Sequence, residues 1–286
     1  MNRAERAVDR ALPELAVYLR LAKKRMRGDF TLRAIEALVR PGEVVVDVGA
    51  YRGVYTLKLA RQVDPGGWVW AVEPMPDSLR ALRRRWDPKF GRSPAKRVGI
   101  LPFAASDHSG SAELRVPVVN GHAVPARSSL SKLEVACRVV PIELRPLDDM
   151  VTPMNSSITF MKIDAEGHEH EVLLGASRIL RYDRPNIFVE IEQRHRDSPV
   201  HDTFDLLRDA GYEGYFVLDD RLHPLSGFDL DIHQPAHLRA PGRWEGDMPP
   251  GYVHDFLFVR AWSDRSIISL VDRAAPGHGP AEDRGR

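Results

Sequence analysis

Four carboxylates stand within or just after apolar runs of this chain. Asp47 lies inside V-V-V-D-V (Val44–Val48), Glu73 follows W-V-W-A-V (Trp68–Val72), Asp164 follows I-T-F-M-K-I (Ile158–Ile163), and Glu190 lies in I-F-V-E-I (Ile187–Ile191). A carboxylate at a strand tip can accept hydrogen bonds from a diol, hold an ammonium group, or take a proton from a hydroxyl. Between the first two acids runs Gly49-Ala50-Tyr51-Arg52-Gly53, a turn whose glycines let backbone approach a ligand closely.

A strand, a glycine turn, a helix and an acid 20 residues beyond Gly53 form the layout of a nucleoside-binding half in a doubly wound fold. A dinucleotide site ordinarily offers three glycines to a pyrophosphate. This turn has two, with Asp47 two residues before the first. S-adenosylmethionine (SAM) carries no phosphate. Its ribose diol and amino-acid end call for acids, which Asp47 and Glu73 supply, so the pattern favours SAM over a nicotinamide cofactor.

Methyl transfer from a sulfonium to a hydroxyl needs the oxygen held about 3 Å from the methyl group and its proton removed. In a parallel sheet, ligands bind beyond the carboxyl ends of the strands. The residues to weigh are therefore Asp164, Glu166 and His168 after one strand, and Glu190, Glu192 and His195 at or after the next. Glu190, flanked by Phe188, Val189 and Ile191, is the candidate buried carboxylate. His195 titrates in the range of a general base. Asp164 and Glu190, at adjacent tips, can share a divalent ion, and their hard oxygens favour magnesium over zinc. The string D-A-E-G-H-E-H-E is a poorer metal site, because His168 and His170 do not share a helix face. Glu169, His170 and Glu171 read as solvated or capping residues of the helix that follows.

The elements that must position these groups alternate strand with helix. Ala4 to about Val39 reads as helices broken at Gly28-Asp29. Strands are expected at Val44–Val48, Trp68–Val72, Val98–Ala105, Ala112–Val119, Ile158–Ile163 and Ile187–Ile191, with Pro102 a weak point in the third. Helices are expected at Val54–Ala60, Leu79–Trp86, Glu169–Leu180 and Phe204–Ala210. Tyr215–Leu218 and Phe256–Val259 form a closing antiparallel pair, and Asp264–Arg273 a last short helix. The polar loop Asn120–Ser131 is long enough to contact substrate.

In this order, Val46-Asp47-Val48-Gly49-Ala50, Glu73-Pro74, Ala105-Ser106-Asp107, Lys162–Glu169 and Leu174-Gly175-Ala176 give the chain a resemblance to the FkbM family of SAM-dependent methyltransferases, over roughly Pro41 to Arg260. The resemblance implies a class I, Rossmann-like α/β fold: a doubly wound, mostly parallel sheet with a closing antiparallel hairpin and an N-terminal helical extension. It implies methyl transfer to oxygen, commonly a sugar or polyketide hydroxyl. Asp47, Gly49 and Gly53 would line the methionine end of SAM, Glu73 would bind the ribose hydroxyls, and Ser106 with Asp107 would lie beside the adenine. Tyr51 takes a place where the family often carries Asn. The division expected is a helical cap at 1–40, the methyltransferase domain at 41–262 and a polar tail at 263–286.

Bulk properties narrow the partners. The 286 residues carry 41 basic and 40 acidic side chains, a balance that gives no global field for nucleic acid. Cys137 is the single cysteine, so neither an intrachain disulfide nor a multi-cysteine zinc site can form. The first ten residues lack the apolar core of a secretion signal, and no apolar run approaches the ~18 residues of a membrane span. These features predict a soluble cytoplasmic enzyme acting on a small-molecule or glycan acceptor. A polyketide or other natural-product hydroxyl, a non-catalytic SAM-binding module and a homo-oligomer stay open.

Overall fold

The computed structural model describes residues 13–86, 97–119, 122–123, 129–130, 136–150, 156–238 and 249–260. Its strands are β1 (Val44–Val48), β2 (Trp68–Val72), β3 (Val98–Leu101), β4 (Ala104–Ala105), β5 (Gly110–Val119), β6 (His122–Ala123), β7 (Cys137–Arg145), β8 (Ile158–Ile163), β9 (Asn186–Glu190), β10 (Tyr212–Leu218), β11 (Arg221–Pro224) and β12 (Asp255–Arg260). The helices are α1 (Pro13–Met26), α2 (Phe30–Leu38), α3 (Val54–Gln62), α4 (Pro76–Trp86), α5 (Leu147–Met150), α6 (Glu169–Leu174), α7 (Val200–Asp209) and α8 (Leu230–His233).

An eight-stranded sheet runs β11-β10-β12-β9-β8-β1-β2-β3. From β9 to β3 the pairs are parallel, and β12 enters antiparallel between β9 and β10. The β-branched runs suit strands buried on both faces. One face carries Val45, Phe160, Phe188 and Leu257 under Phe30, Ile35 and Leu38 of α2. The other carries Val46, Met161, Ile163 and Val189 under Val172, Leu173, Phe204 and Leu207 of α6 and α7. The sheet is doubly wound and α/β, as expected.

The N-terminal helices belong to this core. Gly28 takes a left-handed φ of 71° at the break, and Asp29 caps α2 by accepting from the Leu32 amide at 3.1 Å. Val17 and Leu21 of α1 pack against Leu57, Leu82 and Trp86.

Three expectations are revised. The run Val98–Ala105 breaks at Pro102, which has no amide to donate: β3 stays in the main sheet, and β4 joins a second one. That second sheet, β4-β7-β5-β6, is built on β7, which the sequence reading passed over. In β7, Ile142 and Leu144 are buried while Glu143 and Arg145 are exposed, a period-two pattern interrupted by Pro141. Thirdly, α6 ends at Leu174, and a separate π-helical turn covers Ile179–Asp183. The physical reason is Gly175, where a Cβ would sit 1.8 Å from the Ser106 carbonyl oxygen. The helix expected at Asp264–Arg273, the polar tail and most of the Asn120–Ser131 loop lie outside the described residues.

Candidate functional site

The tips of β1 and β8 lie close together, with the Asp164 amide donating to the Val48 carbonyl at 3.2 Å. Gly49 has a φ of +72°, and a Cβ there would lie 1.9 Å from the Asp164 carbonyl oxygen, so only glycine fits. Beside this contact opens a cavity of about 160 Å³ lined by Gly49, Tyr51, Glu73, Asp164, Glu166 and His168, with Ala104, Ala105, Leu114 and Leu130 closing it from the second sheet. Glu73 is its chemical centre. One carboxylate oxygen accepts from the Tyr51 amide at 2.7 Å and the other from the Met75 amide at 2.8 Å. Burial pushes the Glu73 carboxyl up to about 7, against the pull of those two amides. Tyr51, with φ at 48°, bends the turn so that its amide meets the acid.

Asp47 and Gly53 frame this turn without lining the cavity. Asp47 is fully buried; its Oδ2 accepts from Thr56 Oγ1 at 2.6 Å, and its Oδ1 lies 3.8 Å from Lys162 Nζ. Lys162 also donates to Asp164 Oδ2 at 3.2 Å, so one buried ammonium ties both acids together. Gly53 starts α3 at a φ of 80°, packed against Trp86 and Leu82. Ser106 is buried and lies 3.0 Å from His168 Nε2, which fixes the end of β4 to the loop after β8. Burial holds His168 below the ordinary histidine range. Asp107 points outward to His108, whose hydrogen bond holds its carboxyl low.

Asp164, Gly49 and Tyr51 also form the wall of a second chamber of about 270 Å³. Its far side comes from Lys24, Asp29, Thr31 and Tyr55 of the N-terminal helices and α3, and its floor from Lys162, Glu190, His254 and Asp255. Glu190 and Asp255 face each other across the β9–β12 ladder. His254 Nδ1 sits 3.7 Å from Glu190 and 3.4 Å from Asp255. Burial pulls His254 down, yet those two acids carry it up to about 10. Among the described residues, the group that could chelate one ion is Glu190, His254 and Asp255, with Asp164 outside it.

Behind the first cavity, His195 Nε2 lies 3.3 Å from both Glu166 and Glu192. His195 lines neither cavity and faces the site through Glu166. Burial raises Glu166, and the nearby Asp164, Glu190 and Glu192 raise it further. Burial also raises Glu190, as does Asp164. Glu192 goes the other way: His195 and Arg194 outweigh burial, and Tyr252 donates to it at 2.6 Å. Glu169, read from sequence as solvated or capping, is buried and accepts from the Ala165 and Gly167 amides at 3.2 and 2.8 Å. It thereby shapes the loop on which Glu166 adopts a φ of 49°.

The methyltransferase FkbM domain family matches residues 47–213, from the acid of β1 to the start of β10. The chain belongs to this family. Among solved structures, the methyltransferase FkbM of Methylobacillus flagellatus is 20% identical, with a TM-score of 0.45 over 89% of this chain; the chain spans 60% of that protein's length. The precorrin-6y C5,15-methyltransferase of Geobacter metallireducens is 11% identical over 81% of this chain and 87% of its own, with a TM-score of 0.43. Fibrillarin of Aeropyrum pernix, solved with natively bound S-adenosyl-L-methionine, is 11% identical over 81% and 74%, with a TM-score of 0.40. No curated protein matches the chain.

Within this FkbM-family site, sequence reasoning had not singled out Lys162 or the Lys24–Thr31 wall. Lys162 was open to inference, since it stands two residues before Asp164 on the same strand face. Lys24, Asp29 and Thr31 carried no such signal. Among the described residues, no helix is long and apolar enough to cross a membrane.

Proposed function

We propose that this FkbM-family chain moves the methyl group of SAM to a hydroxyl of a sugar or glycan acceptor. The observation that carries the donor half is Glu73, a buried carboxylate anchored by two backbone amides at the mouth of a cavity on the strand tips. Its remaining lone pairs suit a ribose diol, and Ala104 and Ala105 offer an apolar seat for the base, with Ser106 and Asp107 at its edge. Gly49 and Tyr51 lead the amino-acid end past Asp164, with Asp47 and Gly53 holding the turn from behind. No phosphate-binding nest is needed.

The transfer forms an O–CH3 bond while the S–CH3 bond breaks, leaving a neutral thioether. The hydroxyl proton must leave to a base. Glu190 faces the second chamber and is the acid best placed to take it; His195 and His168 stand on the donor side and serve as support for Glu166 and Ser106. A metal-assisted form of the same reaction would use Glu190, His254 and Asp255 in place of the expected Asp164–Glu190 pair, and loss of turnover on chelation with intact SAM binding would favour it. Asp164→Asn should retain SAM binding by calorimetry and lose transfer of tritiated methyl to glycans. Loss of binding and turnover together would make Asp164 a donor ligand only. Binding of SAM with no transfer to any glycan or natural-product hydroxyl would favour a non-catalytic module.

A further inference from the structure

We infer that the second chamber is the seat of the acceptor, and that the part of the acceptor entering it is an uncharged polyhydroxyl rather than a phosphorylated or carboxylated one. This rests on the reading of the first cavity as the donor site. The two spaces share Gly49, Tyr51 and Asp164 and no other lining residue, so a group in the second chamber meets the first across that wall. A methyl group carried at the wall is exposed to both sides.

The charge of the chamber decides the class of ligand. Its lining holds four carboxylates, Asp29, Asp164, Glu190 and Asp255, against three basic side chains, Lys24, Lys162 and His254. Both ammonium groups are already engaged: Lys24 lies 2.7 Å from Asp29 and donates to the Tyr55 hydroxyl at 2.5 Å, and Lys162 lies 3.2 Å from Asp164. His254 stands between Glu190 and Asp255. A phosphate or carboxylate entering here would have to break an existing ion pair and face Glu190 and Asp255. Hydroxyl donors meet the carboxylates of this lining, and the Tyr51 side chain supplies aromatic surface for the apolar side of a sugar. The wall opposite the sheet is supplied by the N-terminal helices, so Lys24, Asp29 and Thr31 set which polyol fits.

Hydrogen–deuterium exchange read by mass spectrometry on the full chain tests this, with S-adenosylhomocysteine as the donor-site probe. It should slow exchange in peptides covering Gly49–Thr56 and Glu73–Met75 and leave those covering Lys24–Thr31 and Tyr252–Asp255 unchanged. Adding methyl glucoside, methyl mannoside or methyl galactoside at millimolar concentration to that complex should then slow the second pair at least twofold for one of them, while glucose 6-phosphate should not. Protection of Lys24–Thr31 by S-adenosylhomocysteine alone would overturn the proposal, because the donor's amino-acid end would then fill the chamber. Equal or better protection by the 6-phosphate, or none by any glycoside, would overturn it as well. No protection anywhere by S-adenosylhomocysteine would sink the donor reading and this inference with it.

Discussion

Glu73 should make SAM binding depend on pH. Burial lifts its carboxyl to about 7, and the Met75 and Tyr51 amides only partly oppose that. Accepting hydrogen bonds from both ribose hydroxyls requires the ionised form, so binding releases a proton wherever the free group is protonated. At pH 6 only about one carboxyl in ten is ionised, and affinity should rise about tenfold, or ~1.4 kcal/mol, between pH 6 and 8 and then level off. Calorimetric titration in buffers of different ionisation heat measures both the affinity and the proton released. Glu73→Gln should flatten the profile and lower the plateau by about 1–3 kcal/mol, the range for removing a buried hydrogen-bonding partner. The same shift acts on stability without ligand. The folded value, about 7, lies above the ordinary 4.5, so the native state binds more protons than the unfolded chain between those limits. Stability therefore falls as pH rises from about 4.5 to 7, by about 3 kcal/mol for this group. Glu169, also lifted to about 7, adds a slope of the same sign, so Glu73→Gln should remove about half of the combined slope of these two groups. A pH-independent SAM affinity in the parent protein, or an unchanged profile in the variant, would refute the reasoning.

Lys162→Met should destabilise the protein by about 3–5 kcal/mol in urea unfolding, since it leaves the buried Asp47 without its counter-charge. A loss under about 1 kcal/mol would mean that Thr56 alone satisfies Asp47. Gly49→Ala should abolish measurable SAM binding and lower stability by at least about 1–3 kcal/mol, because the left-handed φ is strained for alanine and its Cβ would strike the Asp164 carbonyl. Glu169→Gln keeps an oxygen acceptor for the Ala165 and Gly167 amides and should change stability by less than about 1 kcal/mol at pH 4.5, where the parent carboxyl is protonated in the folded state, whereas Glu169→Ala should lose about 1–3 kcal/mol there. Parallel thermal melts of the two variants separate them.

The parallel strands were legible because burial on both faces leaves a continuous apolar signal, as in Val44–Val48 and Ile158–Ile163. The second sheet was not. In β7 the buried positions Ile142 and Leu144 alternate with charge, but Pro141 interrupts the run, and its partner β5 carries Pro117 opposite Cys137. The proline in β7 erased the local pattern that pairing restores, whereas β5 was expected over Ala112–Val119 despite its own proline. The end of α6 was hidden for another reason: nothing in Leu174-Gly175-Ala176 tells that the Ser106 carbonyl lies against Gly175. Contacts of that range are properties of the assembled fold.

The acids of the site were legible one by one, and their division of labour was not. Glu166, Glu190 and Glu192 look alike in sequence, each near the end of an apolar run. Cation supply separates them. Glu192 takes Arg194, His195 and the Tyr252 hydroxyl, and it is held ionised. Glu166 and Glu190 have one imidazole each beside them, His195 and His254, yet burial and the acids around them push both toward the protonated form. Lys162 is spent on Asp47 and Asp164 and cannot relieve them. The basin at the strand tips is therefore short of positive charge until a cation arrives. On the donor reading that cation is the sulfonium of SAM, whose entry favours ionisation of the same carboxyls that must receive the acceptor's proton. Once the methyl group has left, the thioether is neutral and the excess of acid returns. The arrangement thus favours the charged donor over its spent product, and it does so with residues whose individual types promised nothing more than a row of strand-end acids.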